Sequence, residues 1–486
     1  MLAHWRSGLP LFLLTTLAPF FAAGHSFENT AIVRTVELGG SVVHVTTTYA
    51  VKALEDGASV YTIALGEKEK ESTSWLAAKI KGQSVKLHVE QHSLNLDGGV
   101  YLYDVNLPAP LKTGGTTNIV VETVQTHVTY PYPEEASQKD GQSLKYESDL
   151  LVLSPYDTAV QRTKIRSPFP QIHSYTEPEV EYTQDAAVTK SGATLTYGPY
   201  KNIPASSSNQ FAAEKQQRIF VHFSYEHPIL EITKLERAAE ISHWGANLNI
   251  QDNINLLNAG PKLKGHFSRL EHQSQSFFQR PAPHMLPGLT LHLPAGIRDV
   301  YYYDLVGNVS TSKLRTTSSV PKGSQSNQYS VLELKPRYPI MGGWNYSFTL
   351  GWDSPLADSA GWDKESGKWI VGIPVMTLIP GTVVDEEELK IILPEGATDI
   401  EFHPPFPALL NRLSTHITYL DTTGRPAITL AYKNLTDKHA GIVYVAYKVP
   451  LSAHFKKPVV VATALLGVFA LAFVWKRVDT RIQKQK

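Results

Sequence analysis

The chain has 486 residues, no cysteine, and 45 Lys plus Arg balanced by 45 Asp plus Glu. Without cysteine there can be no disulfide-stapled module, Cys-ligated metal or thiol nucleophile. With zero net charge and no basic run interleaved with aromatics, nucleic acid is excluded as a partner, and the length is more than one ordinary core supports, so two domains are expected.

At the N-terminus Arg6 precedes an apolar stretch over residues 9–21, and Ala22 and Gly24 are the small residues that a signal peptidase accepts. Residues 1–24 therefore read as a signal peptide, with the mature chain starting at His25. From Phe27 onward, short runs rich in β-branched and aromatic residues recur at 41–49, 59–65, 100–105, 117–124 and 218–225, cut by Gly, Pro and Asp. The texture continues at 230–240, 289–293, 300–303, 331–334, 389–393 and 441–449. No long helical segments alternate with these runs, which predicts a mainly β, antiparallel, layered fold. Two tandem β-sandwich-like domains are expected, at 25–227 and 228–457, divided at His227-Pro228.

Residues 458–475 carry no charge, and at about 1.5 Å per residue such a helix just spans a hydrocarbon core of roughly 30 Å. Lys476, Arg477, Arg481, Lys484 and Lys486 follow it, against Lys456 and Lys457 before it, which places the tail 476–486 in the cytosol. The expected topology is type I and single-pass, with the lipid bilayer as a partner. Thr463, Gly467 and Ala470 fall on one stripe of the helix, where a second helix could approach closely, and are candidate packing residues.

Catalytic signatures are missing: there is no zinc-binding His-Glu-x-x-His, no nucleophile elbow, no P-loop and no dinucleotide fingerprint. No catalytic, cofactor or metal residue is therefore assigned. His88, Glu90 and His92 would share one strand face and could in principle hold a metal, but a solvated face is the expectation. Gly351-Trp352-Asp353 and Gly361-Trp362-Asp363 suggest turns with packed indoles; exposed, those indoles would suit a carbohydrate platform, as in an adhesion or lectin-like type I receptor. Asp385-Glu386-Glu387-Glu388 lacks the spaced oxygens of a calcium loop and reads as a solvated turn before a strand. Asn308, Asn345 and Asn434 begin N-glycosylation sequons; the first two sit in turn-like sequence and the third lies nearer the membrane.

Seven segments in order resemble the ribophorin I family, the alpha subunits of the eukaryotic oligosaccharyltransferase. They are residues 240–245 (EISHWG), 263–269 (LKGHFSR), 299–304 (DVYYYD), 307–312 (GNVSTS), 336–339 with 342–344 (PRYP and GGW), 390–397 (KIILPEGA) and 419–426 (YLDTTGRP). In the first half, 27–30, 33–36 and 154–156 are similar too. The resemblance implies a non-catalytic subunit of the endoplasmic reticulum membrane, needing no cofactor. Its complex transfers a preassembled oligosaccharide from dolichyl diphosphate to Asn in Asn-x-Ser/Thr of nascent polypeptides. The implied partners are the other subunits, including the many-pass catalytic one with its Trp-Trp-Asp-Tyr-Gly signature, together with nascent chains near the translocon. The implied role is to stabilise the assembly and help present substrate. Longer animal relatives carry a helical cytosolic domain that the short tail here does not match, so ribosome docking through it is not implied.

Overall fold

The computed structural model describes residues 26–92, 99–179, 181–182, 188–278, 282–318, 329–377, 379–418, 421 and 423–477. The expected signal peptide and most of the tail lie outside the described residues. Strands dominate, and the long C-terminal helix Leu451–Arg477 is the one helix among the described residues long and apolar enough to cross a membrane. Strands such as Val42–Ala53 and Leu230–Ser242 bury alternate residues, as runs of β-branched and apolar side chains at period two require.

The strands form two sets with the same topology. In the first half an eight-stranded sheet runs Val188–Ser191, Thr194–Ile203, Thr158–Arg166, Phe27–Glu37, Val42–Ala53, Thr116–Thr126, Thr73–Ile80, Lys86–Leu87. In the second half the order is Leu410–His416, Arg425–Leu435, Val383–Ile392, Leu230–Ser242, Asn247–Asn258, Asn345–Pro355, Arg298–Asp304, Gly307–Asn308. Position by position, the two orders follow the chain identically. Each large sheet is covered by a three-stranded and a four-stranded sheet whose strands also correspond one to one. In the second half one continuous core lies between these layers; in the first half two clusters do.

The antiparallel expectation fails at one place in each large sheet. Phe27–Glu37 pairs in parallel with Thr158–Arg166, and Leu230–Ser242 does so with Val383–Ile392. A parallel partner needs a long crossover, and here the intervening strands of the other layers supply it. The register of these pairs, with a bulge at the same point of each leading strand, puts Arg34 and Arg237 at equivalent positions. Both are buried. Arg34 donates to the carbonyls of Asp149 and Leu150, and Arg237 donates to the carbonyl of Pro374 at 2.9 Å. Asp149 and Pro374 are the last residues of equivalent strands, so each half uses one arginine to satisfy the backbone where a covering strand ends.

The surroundings of the two arginines differ in charge. Arg237 forms a two-pronged ion pair with buried Asp252, at 2.7 and 2.6 Å, where the first half has Thr47. Glu387 stands where the first half has Gln161. The acidic run is thus no turn: residues 385–388 lie inside strand Val383–Ile392, and alternation turns Glu386 and Glu388 outward while burying Glu387. Burial pushes the Glu387 carboxyl up to about 8, with Arg237 opposing the shift.

Candidate assembly surfaces

The base of the C-terminal helix is bolted to the second half. Lys457 reaches Asp421 at 2.6 Å and Glu395 at 3.8 Å, and Lys456 reaches Glu395 at 3.3 Å. Arg425 bridges Asp421, at 3.3 Å, and Glu240. The backbone and hydroxyl of Thr418 donate to Asp421, and those of Thr423 to Glu395. Burial alone would raise the Asp421 carboxyl, yet the Lys457 and Thr418 donors hold it well below the usual carboxylate range. Its side chain has no exposed surface, so these charges are screened far less than surface pairs.

Two backbone features make this mount possible. Gly396 has φ +82, and a Cβ there would stand 2.7 Å from the Cβ of Ala453, so glycine is needed both for the turn and for the helix to approach. Pro458 lies inside the helix and has no N–H to give to the carbonyl of His454, four residues earlier. The indole Nε1–H of Trp244 fills that vacancy at 3.1 Å. The helix accordingly starts seven residues before the uncharged segment, at Leu451. Beside it, burial pushes the His243 imidazole down to about 4, its ring packed against Trp369, Tyr447 and His454.

At the far end of the same half, Arg337 donates to Asp304 at 2.6 Å and to the carbonyls of Gly307 and Asn308, each at 2.9 Å. Tyr302 and Tyr346 share a 2.6 Å hydrogen bond beneath it, and Tyr338, Trp344 and Phe267 close over the side. Gly342 passes so near the chain that a Cβ would fall 2.0 Å from the Pro261 carbonyl oxygen.

The two halves meet along a seam. The imidazole of His127 lies between Asp385, at 2.9 Å, and Glu231, at 3.3 Å, and hydrogen bonds to these two carboxylates raise it to about 10. Ser41 donates to the carbonyl of Leu230 at 2.6 Å, and Val42, Val124 and Val383 are buried together against Trp75. A short parallel pair joins Glu135–Ala136 to Lys262–Leu263, and Gln138 exchanges two hydrogen bonds with the backbone of Ser268. A cavity of about 380 Å3 with mixed polar and apolar walls opens beside the seam, lined by Arg34, Val36, His127, Tyr146, Arg218 and Asn434 among others.

The ribophorin I family model matches residues 27–476. The chain belongs to the ribophorin I family. Among its relatives, dolichyl-diphosphooligosaccharide–protein glycosyltransferase subunit 1B of Oryza sativa subsp. japonica is 31% identical, over 79% of this chain and 76% of that protein. Subunit 1A of Arabidopsis thaliana is 31% identical, over 84% of this chain and 61% of its own length. Subunit 1 of Caenorhabditis elegans is 28% identical, over 97% and 76%. An M1 zinc metallopeptidase from Deinococcus radiodurans shares 15% identity over 44% of each chain at a TM-score of 0.25, too low to bear on fold or chemistry.

The segments that carry the ribophorin I resemblance are scattered in sequence but gather in space. Residues 240–245 and 390–397, with Asp421 and 423–426, build the mount; 263–269, 299–304, 307–312 and 336–344 build the Arg337 cluster. In the first half, Asn29 donates to Ser154 at 2.8 Å and Phe27 packs edge-on against Tyr156, joining 27–30 to 154–156. Sequence reasoning gives Glu240, Glu395, Asp421 and Arg425 no joint role. The signal that could have found it was a cluster of charges in family segments together with two lysines abutting an apolar span.

Asn308 and Asn345 are exposed. Asn434 lines the seam cavity, and the hydroxyl of Thr436 in its sequon is buried against His439. Thr463, Gly467 and Ala470 lie open on the helix; the Thr463 hydroxyl bonds back to the carbonyls of Val459 and Val460. His88 pairs with Glu90, whereas His92 turns to Asp104, and no metal-holding group occurs among the described residues. Trp352 is fully buried and Trp362 packs on Trp369, so the two indoles form no common platform.

Proposed function

We propose that this chain is a non-catalytic subunit of the oligosaccharyltransferase of the endoplasmic reticulum, the complex that moves a dolichyl-diphosphate-linked oligosaccharide onto asparagine of nascent polypeptides. The observation that carries this reading is the family match over nearly the whole chain, with relatives named as subunit 1 of that enzyme. In this reading residues 1–24 are removed, the domains 25–227 and 228–457 face the lumen, residues 458–475 span the bilayer and the tail is cytosolic. Asn308 and Asn345 carry glycans. The chain stabilises the complex and helps present substrate. What supports a scaffolding role is the kind of site it contains: ion pairs and hydrogen bonds join helix to lumenal half and half to half, and none is arranged as nucleophile with base.

The stripe of Thr463, Gly467 and Ala470 is the contact with a neighbouring helix, since packing of small residues drives association where lipid solvates leucine as well as a partner does. Depletion of the chain leaves lumenal glycoproteins with vacant sequons while the transferred glycans keep their composition. Full occupancy with altered glycans would overturn the reading. Gly467→Leu preserves insertion and reduces co-purification of the catalytic subunit in mild detergent; unchanged recovery across detergents of rising stringency would remove the stripe as the contact.

A further inference from the structure

We infer that the mount end of the second half is itself seated in the interfacial layer of the bilayer, with Trp244, Leu451 and Phe455 among the phospholipid headgroups. This rests on the single-pass reading of Leu451–Arg477 and adds a second membrane contact to it, made by the folded ectodomain.

The position of Trp244 is fixed relative to the span. Its indole bonds the carbonyl of His454, four residues before Pro458, where the uncharged segment starts. At about 1.5 Å of rise per residue that is about 6 Å above the hydrocarbon edge, within the headgroup layer. The ring is nevertheless 65% exposed. An amphipathic ring with its N–H satisfied by protein and its face left open is what the interface favours.

The base of the helix divides into two faces. Ala453, Lys456 and Lys457 lie on the side turned to the lumenal half, against Gly396, Glu395 and Asp421. Leu451 and Phe455, one turn apart, fall on the opposite stripe and are 75% and 63% exposed. A water-facing helix end would be expected to carry its lysines outward and its leucine and phenylalanine inward; here the assignment is reversed. The lysines that could otherwise snorkel to lipid phosphate are held by buried carboxylates. Partitioning of apolar and aromatic surface therefore makes the contact, so uncharged lipid suffices.

Because the natural chain has no cysteine, single-cysteine variants of the full-length protein can carry an environment-sensitive fluorophore in phosphatidylcholine nanodiscs containing nitroxide lipids. Leu451→Cys and Phe455→Cys carry the test, joined by Trp244→Cys; the first two keep the Trp244 donor to His454. Val306, 81% exposed at the opposite end of the large sheet, provides the control as Val306→Cys. Headgroup-level nitroxide is expected to quench the first three probes severalfold more than the control, and adding phosphatidylserine should change nothing. Quenching at 451 and 455 equal to that at 306, or dependent on phosphatidylserine, would overturn the proposal. Gly467→Cys, probed with deep-chain nitroxide, keeps the readings distinguishable. Deep quenching at 467 with none at 451 and 455 leaves the span and removes the seat, as when another polypeptide covers that rim. No deep quenching at 467 overturns both.

Discussion

The seam between the halves should lose strength in a defined pH window, and His127 is where to test it. The imidazole is held between Asp385 and Glu231, which raise it from 6.5 to about 10. A histidine raised in the folded state contributes stability that is complete below its unfolded value, 6.5, and is lost as pH climbs through its folded one, about 10. Each tenfold gain in proton affinity on folding is worth about 1.4 kcal/mol in full, but the side chain is 43% exposed, and solvent screening leaves about 1–2 kcal/mol. His127 stands at φ 57, so asparagine, which tolerates the left-handed region, is the replacement that removes the charge without adding backbone strain. The measurement is thermal unfolding of wild type and His127→Asn in detergent at about pH 6, 8 and 10. The expected gap is about 3–6 °C at the lowest pH, from the usual slope for domains of this size. It should shrink steadily and vanish near the highest pH. A gap that stays constant would show that packing rather than charge holds the seam; no gap at the lowest pH would refute the pairing itself.

For Glu387→Gln the gap should widen with pH, in the variant's favour: the unfolded carboxyl ionises from 4.5 upward while the buried one resists until about 8, so wild type loses stability across that window and the variant does not. Thermal unfolding at pH 5 and 8 should show the variant gaining on the order of a few kcal/mol relative to wild type at the higher pH; a gap that does not widen would count against a neutral Glu387. Gly396→Ala should cost about 1–3 kcal/mol and expose the helix base to protease, because it adds a Cβ at positive φ and against Ala453; unchanged cleavage would argue against the close approach. Asn308→Gln and Asn345→Gln should each remove one glycosidase-sensitive step in gel mobility, whereas Asn434→Gln, in the seam, should not; a step lost at 434 would mean that the cavity opens to hold a glycan.

The sequence by itself determined what local chemistry dictates. Period-two burial made the strands at 42–53 and 230–242 legible, the uncharged run at 458–475 announced a helix fit to span a bilayer, and ordered segments identified the family. Tertiary structure decided the rest, because partners distant in the chain leave no periodic trace. Residues 385–388 read as a solvated turn on composition, and only pairing with both neighbouring strands shows a buried position among them. The parallel pair at the centre of each large sheet, and hence the topological repeat with its two arginines, follows from crossovers that no run of residues encodes. Trp244 reaches His454 across 210 positions and Arg425 reaches Glu240 across 185. What brings them together is a proline that frees one carbonyl and a largely buried arginine that requires carboxylates, needs that no local pattern reveals and only the folded chain can satisfy.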